Sequence, residues 1–137
     1  MAGGRQAVAL SPEVQRLAAL PILVVLGTSR ADGSLQLNPV WFEYRDGYFW
    51  LNSNSRRAWP KNVQRTQAGS LLLMDPEEAF RYAHVQGRLI EVIPDPRHEF
   101  IDRLAQRYTA KPFRELQRGE ERITLKLEPV AVTGEMV

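Results

Sequence analysis

The sequence contains no cysteine and only two histidines, His84 and His98. Without thiols there is no disulfide framework, no thiolate metal site and no cysteine nucleophile. The two histidines fall on different predicted elements and lack paired metal-ligand spacing, so each reads as a hydrogen-bonded or exposed side chain rather than a catalyst. No nucleophile-elbow spacing, internal repeat or low-complexity linker is present either. Hydrolase and metal chemistry are thereby disfavoured, and no residue is assigned a catalytic role. Apolar residues between Leu17 and Leu26 are interrupted by Pro21, and no run reaches the roughly 20 residues of a membrane span. The stretch Met1 to Leu10 lacks the apolar centre of a signal peptide, so a cytoplasmic protein without membrane association is expected.

Negative charge is missing from one region. From Gly47 to Met74 there is no Asp or Glu, while Arg56, Arg57, Lys61 and Arg65 give that stretch a charge of +4 within a chain whose net charge is only +2. A balance of +2 does not argue for a nucleic-acid partner. The local concentration is a candidate footprint for an anion, although a solvated helix face gives the same count.

What is present is an ordinary globular composition: 137 residues, 44% hydrophobic and 25% charged, which fit one domain over 1–137 with residues 1–10 as a flexible arm. Ser11 before Pro12 is a helix start, with Val14, Leu17 and Ala18 on one apolar face. Ile22–Gly27, Leu35–Tyr44 and Tyr48–Ser53 read as strands joined by Asp32-Gly33 and Asp46-Gly47 turns, a three-strand meander. Pro60 excludes a central strand and places a helix over Pro60–Thr66. Ser70–Met74 and Arg81–Val92 are strands, the second with a bulge at Gly87, and Asp95-Pro96 starts a helix whose Phe100, Ile101, Leu104 and Tyr108 share a face. After a polar connector over Lys111–Glu120, Ile123–Leu127 is the last strand. The expected fold class is therefore all-β with short helices: a six-stranded antiparallel Greek-key barrel, its edges closed or covered in a dimer.

Two neighbouring segments carry the chemistry. Trp50 to Arg57 joins a strand end to a helix start, where Ser53, Ser55, Arg56, Arg57 and free helix N–H groups meet, and Lys61 and Asn62 follow in the first turn. Several donors with a bidentate cation are what a phosphate requires, though a helix capped by Ser55 with its cations in water is the plain alternative. In the preceding strand, Asn38-Pro39-Val40-Trp41-Phe42 has Pro39 where a ladder donor is lost, so this edge can face a planar ring instead of another strand. The dense aromatics Trp41, Phe42, Tyr44, Tyr48, Phe49 and Trp50 are otherwise core filler. Tyr82 and Tyr108 read as core packing or pocket walls, with proton donation as the less favoured role.

Taken in order, Asp32-Gly33, Asn38 to Phe42, Gly47 to Trp50, Ser53, Arg56-Arg57, Lys61-Asn62-Val63, Tyr82 to Gly87 and Ile101 to Tyr108 resemble the pyridoxamine 5′-phosphate oxidase-like split β-barrel superfamily, nearest its coenzyme F420-dependent branch. The resemblance covers about residues 15 to 130. It implies a homodimer of split barrels with a flavin or deazaflavin in the groove between subunits, Ser53, Arg56, Arg57, Lys61 and Asn62 on its phosphate and tail, and Asn38, Pro39, Val40 and Trp41 as its ring platform. Trp59-Pro60 stands where many members similar to it carry a lysine near the phosphate, with Lys61 as the substitute cation. The implied function is hydride transfer between the deazaflavin C5 and a small organic substrate. FMN on the same fold is the alternative, because its phosphomonoester wants a compact cationic pocket, whereas the tail of F420 wants spread charge such as Arg56 to Arg65. A non-catalytic flavin carrier or single-stranded nucleic-acid binder is a further alternative.

Overall fold

In the computed structural model, which describes residues 6–135, Ser11 caps helix α1 (Pro12–Ala18) as its sequence requires. Its Oγ accepts the Val14 N–H at 3.2 Å, and Val14, Leu17 and Ala18 are buried. The expected arm over 1–10 lies partly, at residues 1–5, outside the described residues. Leu10 is in the core, and the Val8 N–H bonds to the Pro129 carbonyl at 2.9 Å.

Among the described residues seven antiparallel strands follow, not six: β1 (Val24–Ser29), β2 (Leu35–Val40), β3 (Glu43–Arg45), β4 (Tyr48–Asn54), β5 (Ala68–Met74), β6 (Tyr82–Pro94) and β7 (Arg122–Thr133), in the spatial order β2-β1-β5-β6-β7-β4-β3. The extra strand arises because the run Leu35–Tyr44 breaks at Trp41-Phe42. β2 pairs only with β1 and β3 only with β4, so the expected meander is two separate hairpins. The second has the tightest turn: Asp46 and Gly47, at φ 57° and 84°, both adopt the positive φ that a two-residue connection of this hand demands.

The position of these two hairpins dictates the shape of the sheet. β2 and β3 lie at opposite edges, yet only Trp41 and Phe42 separate them in the chain. Three Cα–Cα steps span no more than about 11 Å. The sheet must therefore curl until its edges nearly meet, leaving a gap that the crossing bridges. Phe42 turns into the core against Phe49, with ring centroids 5.6 Å apart, while Trp41 stays half-buried at the gap.

The long β6–β7 ribbon keeps the curl through register shifts at Gln86/Gly87 and Leu89/Glu91, which bears out the bulge expected at Gly87. A Cβ there would meet the Gly69 carbonyl oxygen at 3.1 Å and Leu127 at 3.2 Å, so the close strand approach depends on glycine. β7 runs to Thr133, past its expected end at Leu127, because β4 pairs with it only over Arg122–Leu127, so no ladder donor toward β4 is needed at Pro129. The core is formed by the inner face of the curl, including Leu26, Phe42, Phe49, Leu51, Leu71, Leu73, Leu125 and Leu127.

Helix α2 (Ala58–Thr66) begins two residues earlier than expected, with Pro60 in its first turn, and is capped by Arg57 without any side-chain bond rather than by Ser55. Helix α3 (Glu99–Thr109) covers β4 from outside. The helix starts later than Asp95-Pro96 implied, with His98 at the N-cap position; the Asp95 carboxylate still accepts the first-turn Phe100 and Ile101 N–H groups at 3.2 and 3.0 Å. No helix among the described residues is long and apolar enough to cross a membrane.

Candidate functional site

The gap in the curled sheet opens into a cleft of about 390 Å³. One side is apolar: Leu23, Pro39, Val40 and Trp41 from the crossing edge, Trp59 from the start of α2, and Ile101 and Leu104 from α3. The other is cationic, with Arg57 from the α2 cap, Arg114 from the connector after α3, and Arg122 from the first residue of β7. Asn52 and Ser53 lie between them at the end of β4, and Phe113 closes the connector side.

Trp41 is held in place from behind. Its indole stacks on Tyr108, with ring centroids 5.2 Å apart and planes inclined by 8°. The Tyr108 hydroxyl donates to the Ile22 carbonyl at 2.5 Å and accepts the Phe42 N–H at 3.3 Å, and burial raises its pKa. A hydroxyl committed in this way is a strut, not a proton donor, and Tyr108 stands behind the cleft wall. The adjacent Arg107 donates to the Phe42 carbonyl at 3.1 Å and to the carbonyls of Ala18, Ala19 and Leu20 at the end of α1. A cation there also complements the negative end of that helix.

At the cationic end, Arg122 is nearly buried. Its Nε donates to Asn52 Oδ1 at 2.9 Å and one Nη to Glu120 at 2.8 Å; Asn52 in turn donates to Asp95 and Thr124, each at 3.1 Å. Desolvation lowers the Arg122 pKa, and the neighbouring Arg114 and Arg57 push it the same way, so the three guanidinium groups act on one another as like charges. Glu120 pairs with Arg114 and Arg122, whereas Arg57 has no ion pair among the described residues. Three cations against one carboxylate leave a formal +2 at this end of the cleft. Ser53 is buried beside them, its hydroxyl turned to the Asn54 carbonyl at 3.3 Å.

The structure brings together Pro39, Val40, Trp41, Ser53 and Arg57 of the residues read from the sequence. The others lie elsewhere. Asn62 is a buried anchor for α2: its amide donates to Thr28 at 3.1 Å and Gln36 at 3.2 Å, and its oxygen accepts from Arg65 at 3.1 Å. Lys61 is exposed and outside the cleft lining, and Arg56 lies over Gly119. Asn38 sits next to Pro39 in β2, with its Oδ1 buried and without a hydrogen-bond partner among the described residues. Such an oxygen is an acceptor in want of a donor. Neither His84 nor His98 lines the cleft, and no cluster of metal-ligating side chains occurs among the described residues.

Sequence reasoning missed Arg114, Arg122, Asn52, Trp59 and Phe113. The cations Arg114 and Arg122 stand in a mixed-charge stretch where Glu115, Glu120 and Glu121 cancel them on paper. Only the fold separates Arg122 from Glu121 and turns it into the gap.

Residues 10–134 match the family model for pyridoxamine 5′-phosphate oxidase. Among solved structures, the chain is similar to an F420 reductase at 27% identity, over 87% of this chain and 94% of the other, with a TM-score of 0.79. It shares the fold of a pyridoxamine 5′-phosphate oxidase-related, FMN-binding protein from Nostoc punctiforme (15% identity, 91% and 84% covered, TM-score 0.59). It also shares that of a conserved hypothetical protein from Mycobacterium tuberculosis (19% identity, 95% and 88% covered, TM-score 0.65). No curated protein matches the chain.

Proposed function

The chain belongs to the pyridoxamine 5′-phosphate oxidase family, and from that premise we propose that it is a deazaflavin-dependent oxidoreductase that uses coenzyme F420 to reduce or oxidise a small organic substrate. The observation that carries this reading is the polarity of the cleft: a flat indole wall at one end, three guanidinium groups at the other, and room for one planar ring with an anionic tail. The likeness to an F420 reductase supports the choice of deazaflavin.

The residues present fit such a group. Arg57, Arg114 and Arg122 would hold the anionic part, since guanidinium forks pair with phosphate oxygens in two-point contacts. Trp41 and Pro39 would wall the ring. A bound deazaflavin supplies two-electron hydride chemistry. The chain supplies position and a dry wall: Trp41 kept flat by Tyr108, and Trp59, Ile101 and Leu104 excluding water. Among the described residues, the cleft lining holds no Asp, Glu, His, Lys, Tyr or Cys.

A homodimer completes this reading. The outward face of β2 presents Leu35 and Leu37, 71% and 67% exposed, in line with Pro39, and Gly27 and Leu72 continue the patch across β1 and β5. Because Pro39 also lines the cleft, a second copy packed on this face would reach its mouth.

FMN is the second reading, favoured by the compactness of the arginine cluster. Lys61 and Arg65, whose spread along the sequence argued for a longer tail, do not reach the cleft, and a formal +2 matches a phosphomonoester near −2. Titration of the protein into F420, followed by cofactor fluorescence, tests the choice against FMN and a single-stranded oligonucleotide in parallel. Low-micromolar or tighter F420 binding, with turnover of a reducible substrate, is expected. Tighter FMN binding would transfer the assignment to the second reading, and salt-sensitive oligonucleotide binding would remove both.

A further inference from the structure

The connector between α3 and β7 is built around a buried acid. The Glu120 side chain is only 1% exposed, yet it accepts four hydrogen bonds. Two come from Arg114, at 2.8 and 3.1 Å, one from Arg122 at 2.8 Å, and one from the Gln117 N–H at 2.9 Å. The two guanidinium groups lie 4.7 and 4.9 Å from the ring of Phe113, whose N–H is fixed to Asp102 Oδ1 of α3 at 3.0 Å. Both arginines line the cleft, beside the unpaired Arg57.

Three guanidinium groups in one corner repel, and a half-exposed Arg114 left to itself would swing into solvent. We propose that Glu120 is a positioning residue that gathers Arg114 and Arg122 into a preformed, two-armed receptor for a phosphate group. This rests on the reading that the cleft takes a phosphate-bearing cofactor, and it adds the element that selects the ligand's charge. The acid lowers the local charge by one unit but fixes the geometry of Arg114 and Arg122, and with Arg57 the corner keeps a formal +2. Its own pKa is held down to about 2, first by the Arg114 bonds, so the arrangement stays charged wherever phosphate binds as an anion.

Charge and geometry make opposite demands, which gives a decisive test. Removing a carboxylate beside an anion site tightens binding if only net charge matters; it weakens binding if the acid works by holding the arginines. Inorganic pyrophosphate, F420 and FMN are titrated against the wild-type chain and Glu120→Gln at several salt concentrations, with thermal unfolding as a check that the variant is folded. The expected result is pyrophosphate binding weakened about tenfold or more, as for loss of charge-assisted hydrogen bonds. The salt dependence should also flatten, because fewer cations stay engaged despite the added net charge, and a purely structural role would not produce that pairing.

Arg114→Ala guards against a variant that fails to fold, since Arg114 is half exposed and outside the core. It should weaken pyrophosphate binding, and Glu120→Gln should add little in that background. Unchanged or tighter binding by Glu120→Gln, unchanged binding by Arg114→Ala, or strict additivity of the two overturns the inference. A wild-type chain that binds pyrophosphate in this Glu120-dependent way but neither F420 nor FMN supports it while removing the cofactor reading. Binding of none of the three overturns both.

Discussion

Tyr108 and Trp41 lie ring on ring, 5.2 Å between centroids and 8° from parallel, although one belongs to α3 and the other to the crossing between the two edges of the sheet. Together with the hydroxyl bonds to Ile22 and Phe42, this contact fastens helix, strand edge and cleft wall at one point.

Tyr108→Phe keeps the stack and deletes the hydroxyl. A loss of about 1–2 kcal/mol in stability is expected, the range for a buried hydrogen bond whose carbonyl partner is left without a donor. Cofactor affinity should change little. Tyr108→Ala removes the ring support as well, and should both destabilise further and weaken ring binding. Urea unfolding and cofactor titration on the two variants separate the effects.

Arg57→Ala should weaken binding of the anionic cofactor by about 1–3 kcal/mol, because its guanidinium lines the cleft with no partner among the described residues. Lys61→Ala, outside the lining, should cost less than about 0.5 kcal/mol. Equal losses from the two variants would show that the anion lies along α2 rather than among the three arginines.

Asn62→Leu should act on the fold and not on the ligand. The amide joins Thr28, Gln36 and Arg65, so its loss strands the buried Thr28 hydroxyl and should cost about 1–3 kcal/mol by chemical denaturation. Any cofactor-affinity change beyond that explained by unfolding would return Asn62 to the binding site.

Acid stability should carry the mark of Glu120. Its folded pKa of about 2 lies below the ordinary 4.5, so its contribution is complete above about pH 4.5 and is lost as the pH falls toward 2. Urea midpoints measured from pH 6 to pH 2 should therefore fall less steeply in Glu120→Gln than in the wild type. Parallel curves would contradict the depressed pKa.

Leu37→Lys should leave the monomer fold intact, since the side chain stands on the outward face of β2. Light scattering is expected to show a dimer for the wild-type chain and a monomer for the variant. A wild-type monomer would remove the second copy from the cleft.

Much of the architecture was legible because local chemistry decided it. The Ser11-Pro12 start, the Asp46-Gly47 turn and the Gly87 bulge follow from capping, positive φ and strand crowding, each a property of one or two residues. The seventh strand was not, because the break at Trp41-Phe42 has no turn residue. It is imposed by the closure of the sheet, which sends Phe42 inward and leaves Trp41 at the gap. The site divided in the same way. Pro39, Trp41, Ser53 and Arg57 are adjacent to strand ends and could be read, whereas Arg122 becomes a cleft residue only through the pairing of β7 with β4, which sets Arg122 opposite Asn54. Lys61 and Asn62 fall outside the cleft lining, because charge and polarity in sequence do not say which side of a short helix faces the gap.

The bridge of two residues between β2 and β3 also sets a dimension. Its length fixes how far the sheet margins can part, and hence the bore of the opening through which any guest must pass. Lengthening that bridge by a single residue would alter the caliber of the opening and shift Trp41, while leaving the arginine end of the lining unchanged in sequence.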